Sequence, residues 1–138
     1  MKNIGLIGIL GFLLLIPSVL AINIDVEKET VTDVIVIGLD QPAVFKLDIT
    51  NNRAQDNFDF YNLFGWTMEP KEKITIGNDK TEEVTLKIYP RQDTEIRNFY
   101  TIPYYIRGDD DSEVEKKITV KIIDLEDAFE IGSSSFDS

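Results

Sequence analysis

The sequence predicts an all-β protein: an antiparallel sandwich of about seven strands in Greek-key order, behind an N-terminal signal-peptide helix. Three observations predict it. Apolar and polar residues alternate with period two over short runs, spaced roughly ten residues apart, as in strands with one dry and one wet side. Turn-forming clusters separate those runs, at Gly38–Pro42, Gly77–Lys80 and Gly108–Ser112. No stretch beyond residue 21 carries a sustained helical stripe.

Residues 1–21, MKNIGLIGILGFLLLIPSVLA, begin with the charge of Lys2 and continue as an apolar run from Ile4 to Ile16. Pro17-Ser18 breaks the run, and Val19-Leu20-Ala21 offers small or β-branched residues before a cut. That order is a secretory signal peptide with cleavage after Ala21, which places the protein outside the cell or on the outer face of the membrane. The rival is an uncleaved anchor, because the apolar stretch to Ile22 is about long enough to span a bilayer. Membrane attachment is expected only through this segment, if it is retained.

Ile22, Ile24 and Val26 alternate with polar residues as a first strand. Val34 to Ile37 is a continuous β-branched run, read as a strand buried on both faces or one crossing between sheets. Ala43 to Asn52, AVFKLDITNN, alternates without a fault: Ala43, Phe45, Leu47 and Ile49 share one face. The segment from Asn57 to Trp66 holds five aromatics in ten residues. Trp66 and Met68 share one side of the next short strand, Ile74 and Ile76 follow, and Val84, Leu86 and Ile88 point inward from Thr81–Tyr89; the alternation places Phe58, Phe60, Trp66, Tyr100 and Tyr104 in the core. Tyr100, Ile102, Tyr104 and Ile106 share a face, with Pro103 marking that strand as an edge or bulged there. Val114, Ile118, Val120 and Ile122 form the inner face of a last strand. The domain is expected over residues 22–125, with 126–138 a flexible, acidic and serine-rich tail or linker.

Charge and composition remove several functions. The chain has 138 residues, 25 acidic and 14 basic, for a net charge of −11. Only Lys2 among these precedes residue 22, so the rest carries −12. Such a surface repels phosphate backbones, and nucleic acid is excluded as a partner. There is no cysteine and no histidine. Disulfides, thiol nucleophiles, Ser-His pairs and the usual zinc sites are therefore impossible, and no cofactor is expected.

Taken in order, AVFKLDITNN, the Trp66–Pro70 segment W-T-M-E-P and the strand V-T-L-K-I-Y-P from Val84 to Pro90 resemble the Ig-like module called NEW3, the α-galactosidase-associated family. The pattern is also similar to CARDB-type and fibronectin-III-like domains of archaeal and bacterial secreted or surface proteins. The resemblance covers about residues 22–124 and departs from the usual glycine before the Tyr100 strand, where Arg97-Asn98 stands. It implies an Ig-like sandwich and a non-catalytic role as a spacer, adhesion or accessory binding module.

Three groups of residues are candidates for chemistry. Asp109, Asp110 and Asp111 invite calcium, which needs six to eight converging oxygens. The EF-hand spacing is missing, and the plainer reading is a solvated turn, so no metal site is expected. Phe99 and Tyr105 lie on the face opposite Tyr100, where a plain sandwich places polar residues. They read as an interface packed under a loop or neighbouring domain, or as a glycan platform. Paired carboxylates for glycoside cleavage need a cleft that a domain this small hardly has. The expectation is a secreted or cell-surface structural or interaction module, a spacer or protein-binding domain. Its partner would be a protein or cell-envelope component. The alternative is a carbohydrate-binding accessory module that uses exposed aromatics.

Overall fold

The computed structural model describes residues 23–96 and 99–134. The signal-peptide or anchor segment and the Arg97-Asn98 turn lie outside them. Among the described residues, nine strands and one helix follow in order: β1 (Ile24–Thr32), β2 (Val34–Val36), β3 (Ala43–Asn51), β4 (Asp56–Tyr61), β5 (Thr67–Glu69), β6 (Ile74–Ile76), β7 (Thr81–Tyr89), β8 (Tyr100–Arg107), β9 (Glu113–Ile123) and α1 (Leu125–Ser134). β2, β5 and β6 have three residues each, and they carry the number past the seven expected.

The strands form two sheets, β1-β3-β7-β5 and β2-β9-β8-β4-β6. The first order, and β9-β8-β4 within the second, are those of a Greek-key sandwich of the Ig-like type. One pairing departs from the antiparallel expectation: β2 lies parallel to β9, with Val34 opposite Lys121 and Val36 opposite Ile123. The reason is that the chain passes from the edge of one sheet to the edge of the other without reversing. The crossing reading of this run therefore holds. Burial on both faces does not, since Ile35 is buried while Val34 is exposed.

Alternation becomes core as the pattern of β3 demands. Phe45, Leu47 and Ile49 meet Val84, Leu86 and Ile88 from β7 and, across the sandwich, Phe58, Ile102, Tyr104, Ile106, Ile118 and Val120. Trp66 and Met68 are buried with them, and burial pushes the Tyr104 hydroxyl pKa up to about 12. Pro103 sits in a strand that has neighbours on both sides, but β4 pairs only with Tyr105–Arg107. At Pro103 the strand is locally an edge, which is where a residue without an N–H belongs.

The C-terminal segment differs from the linker expected. Residues Leu125–Ser134 are helical. Asp124 accepts a hydrogen bond from the Asp127 backbone N–H at 2.7 Å, an N-cap, and Glu126 and Asp127 place negative charge in the first turn. The cap is visible in the sequence, but ten residues hold too few turns for a helical stripe to stand out. Among the described residues, no helix is long and apolar enough to cross a membrane.

Candidate functional site

Asn51 organises one end of the sandwich. It ends β3 and is fully buried. Its side-chain amide donates to the carbonyls of Ala54 at 2.9 Å and Ile76 at 3.0 Å, while its oxygen accepts from Arg53 N–H at 3.1 Å. Its backbone N–H donates to Lys80 O and its carbonyl accepts from Asp79 N–H. One residue thus ties the loop after β3 to the turn that joins β6 and β7. Asn23 is at the same end, its carbonyl accepting from the Asn52 N–H at 3.1 Å.

The β8–β9 hairpin closes that end, and here lie the three aspartates proposed for calcium. Asp109 meets Lys73 Nζ at 2.6 Å and accepts from Asn57 Nδ2 at 2.8 Å. These contacts hold its carboxyl below the usual carboxylate range. Asp110 accepts from the Ser112 hydroxyl and backbone N–H and lies 3.4 Å from Arg53, and its carboxyl too is held low, chiefly by Ser112. Asp111 has φ of 62°, a left-handed turn position. Each acid serves the turn or a cation from another loop. Among the described residues, no group of three or more acids is placed to hold a metal ion.

Tyr105 is on the outer face of the second sheet. Its ring stacks on Tyr61, the residue opposite on β4, with centroids 5.0 Å apart. Arg107 lies 5.0 Å from the centre of the Tyr61 ring and forms a two-pronged pair with Asp59, at 2.8 and 3.3 Å. Asp59 in turn raises the Arg107 pKa. The Tyr61 hydroxyl donates to Glu113, and that bond, followed by desolvation, pushes its pKa up to about 12. Phe99 is elsewhere. It precedes β8 and is 65% exposed. Six residues of extended chain separate it from Tyr105, about 20 Å at the rise of a strand. The structure does not bring the two expected aromatics into one platform. Tyr105's companion is Tyr61, which sequence reasoning passed over because its opposite number on β8 is set by register.

Phe99 belongs instead to the other end of the sandwich. There Trp66 contacts Phe64 edge-on at 5.5 Å and Tyr100 at 5.5 Å, below a groove of about 370 Å³ lined also by Arg91, Asp93 and Glu95. The Tyr100 hydroxyl donates to the Glu95 carbonyl at 2.6 Å. Nine large apolar side chains are exposed among the described residues: Val31, Val34, Leu39, Leu63, Phe64, Ile96, Phe99, Leu125 and Phe129. All belong to this end or to α1, which starts there. Val31 precedes the residue opposite Val44, Val34 faces Lys121, and Leu39 follows β2. Leu63 and Phe64 lie between β4 and β5, Ile96 and Phe99 between β7 and β8. The sequence signal was present in Asn62-Leu63-Phe64-Gly65, an apolar pair inside turn residues, where burial in a strand is not available.

The outer face of the first sheet carries a different feature. Glu27, Asp48 and Glu83 stand opposite one another across β1, β3 and β7. Lys46 approaches Glu83 to 3.8 Å.

No family model matches the chain, and no curated protein matches it. A solved structure, a FixG-related protein from Vibrio parahaemolyticus, is similar in fold. Its TM-score is 0.53 at 11% identity, over 72% of this chain and 94% of that one. At that identity the likeness is one of fold alone.

Proposed function

We propose that this protein is a non-catalytic Ig-like structural and interaction module, exported by its N-terminal segment, that holds an apolar surface out for a protein or cell-envelope partner. One observation carries the reading: every large apolar side chain exposed among the described residues is at one end of the sandwich or on the helix that starts there. Monomeric proteins scatter such residues, and a concentration of them marks a contact surface. The chain is also laid out as a spacer. Asn23 lies at the charged end and β9 runs out at the apolar end, so segments joined on either side stand on opposite ends. The NEW3- and CARDB-like pattern points the same way.

A second reading, carbohydrate binding, is favoured by Tyr61 and Tyr105. They form a ring pair on a sheet face with Asp59, Arg107 and Glu113 beside them. Stacked rings with nearby hydrogen-bonding groups suit a sugar. Both readings meet one experiment. The full chain is screened on a glycan array and for turnover of polysaccharides, beside a Tyr105→Ala variant. The module reading expects no turnover and no glycan signal. Glycan binding that disappears in Tyr105→Ala establishes the second reading in its place, and turnover removes both.

A further inference from the structure

The apolar end is set apart by charge as well as exposure. Asp33, Asp40, Asp124, Glu126 and Asp127 belong to its loops and to the start of α1. Arg91, which lines the groove there, is already paired with Asp93 at 3.0 and 3.1 Å. The surface is thus an apolar patch inside an acidic rim.

The helix adds an independent observation. Leu125 and Phe129 are four residues apart, so they share a face of α1. They are 46% and 73% exposed. The helix makes no extensive packing contact with either sheet, and its last turn has no basic residue to meet the helix dipole. A helix of ten residues is marginal in water without a surface to pack on. Its apolar stripe is built to be covered by something the sandwich itself does not supply.

We propose that this end, with Leu63, Phe99 and the Leu125–Phe129 face of α1 as its anchors, docks on a partner protein whose contact surface is an apolar groove ringed by lysine and arginine. The proposal deepens the interaction-module reading and rests on it. Charge selects the occupant. A second copy would set acidic rim against acidic rim, in a chain carrying −12 beyond residue 21. An anionic membrane surface meets the same repulsion. A basic-rimmed groove is attracted, oriented and then desolvated by the apolar anchors. An amphipathic helix laid into an apolar groove is a recurrent way of making such a contact.

The test uses the full chain, expressed with its own N-terminal segment and labelled for amide NMR. It is titrated with an amphipathic helical peptide of leucine and lysine, which offers an apolar stripe between basic flanks, and with its leucine–glutamate counterpart. Vesicles of phosphatidylcholine with phosphatidylglycerol, and a concentration series of the chain alone, complete the set. The expected result is perturbation by the lysine peptide confined to residues 62–66, 94–96, 99 and 124–130. Affinity should fall about tenfold in the Leu63→Ser/Phe99→Ser variant and again in Phe129→Ser, as for anchors at an interface centre. The glutamate peptide should give nothing. Because all three side chains are exposed, the melting temperature of each variant should stay unchanged, and Phe129→Ser keeps the test valid if the double variant does not. The inference is overturned by lysine-peptide binding on the Glu27–Asp48–Glu83 face with equal affinity for every variant. Vesicle binding or self-association through Phe99 overturns it as well. None of these outcomes touches the broader module reading, which falls only to turnover or to Tyr105-dependent glycan binding.

Discussion

At the end of the sandwich where β1 begins, a network of polar side chains joins the loops to one another. Asn51 is buried with its amide and carbonyl both engaged, and Lys73, Arg53, Asp109, Asp110 and Ser112 close on one another across three loops. At the opposite end the loops present Leu63, Phe64, Ile96 and Phe99 to water, over a buried Trp66. The two ends share a core and a topology, and they differ in where their interactions are completed. The first is completed within the chain, so its residues hold loops together. The second completes its polar contacts too, at Arg91–Asp93 and Tyr100–Glu95, but leaves large apolar side chains exposed. A buried side chain at either end is therefore structural, and so are the exposed polar ones of the charged end, whereas Leu63 and Phe99 at the apolar end are large apolar side chains that the core does not take in.

The largest effect expected is at Trp66. It is 5% exposed and touches Phe64 and Tyr100. Trp66→Ala should lose about 3–5 kcal/mol in urea denaturation, as truncation of a buried aromatic does. In a domain with roughly 5–15 kcal/mol in all, that cripples folding. A loss below about 1 kcal/mol would show that the ring belongs to the exposed patch and that the boundary between core and contact surface is drawn in the wrong place. At the opposite end, Asn51→Ala should lose somewhat less, about 2–3 kcal/mol. It strands the Ile76 carbonyl in the interior, while water can reach Ala54 and Arg53. Asn51→Asp should be worse than alanine, because it turns the donor that faces two carbonyls into an acceptor. If aspartate were tolerated better, the amide would not be what ties the loops.

These two residues also show how much was legible in the sequence. Alternation told which face of β3, β7, β8 and β9 is dry, because a strand's period is fixed by the backbone and burial follows from it. It read Trp66 as core for the same reason. In the sequence Asn51 is only the first of an Asn-Asn pair that tolerates turns. That its amide reaches Ile76 depends on how β6 is placed, which is a long-range fact. The three-residue strands β2, β5 and β6 were legible as short apolar segments but not in their partners, which register sets, and α1 was missed because ten residues hold too few turns for a stripe to register. Phe99 and Tyr105 were recognised as out of place on a wet face. Their separation along the strand and the pairing of Tyr105 with Tyr61 come from register, which no local pattern encodes.

A smaller effect distinguishes the charged end by pH. Lys73 and Asn57 keep the Asp109 carboxyl below its usual value, and Ser112 does the same for Asp110. A carboxyl whose pKa is lower in the folded chain than in the unfolded one stabilises the fold at neutral pH. That contribution is lost as the pH falls below about 4 and through the depressed value. The melting temperature should therefore drop on that acid limb. Lys73→Ala should make the limb shallower, with a lower starting point at neutral pH. The Leu63→Ser/Phe99→Ser variant, at the other end, should reproduce the wild-type profile. An acid limb unchanged in Lys73→Ala would mean that the hairpin network contributes nothing and that this end is held by Asn51 alone.

The smallest effect is expected between the two ends, on the outer face of the first sheet. Glu27, Asp48 and Glu83 are directly opposite one another, and like charges in that relation destabilise a sheet by a fraction of a kcal/mol to about 1 kcal/mol. Lys46 approaches Glu83 at 3.8 Å and is one relief that the face has. Asp48→Lys converts two repulsive cross-strand pairs into attractive ones without changing the buried face of β3. It should raise the melting temperature by about 1–4 °C at low salt, with most of the gain gone at high ionic strength. The gain would mark this face as one where stability is given up for surface charge, in contrast to the Asp59–Arg107 pairing on the outer face of the other sheet. No gain, or a loss, would mean that the three side chains splay apart into solvent. The acidic character of the chain would then act at the apolar end, through its rim, and not through the sheet.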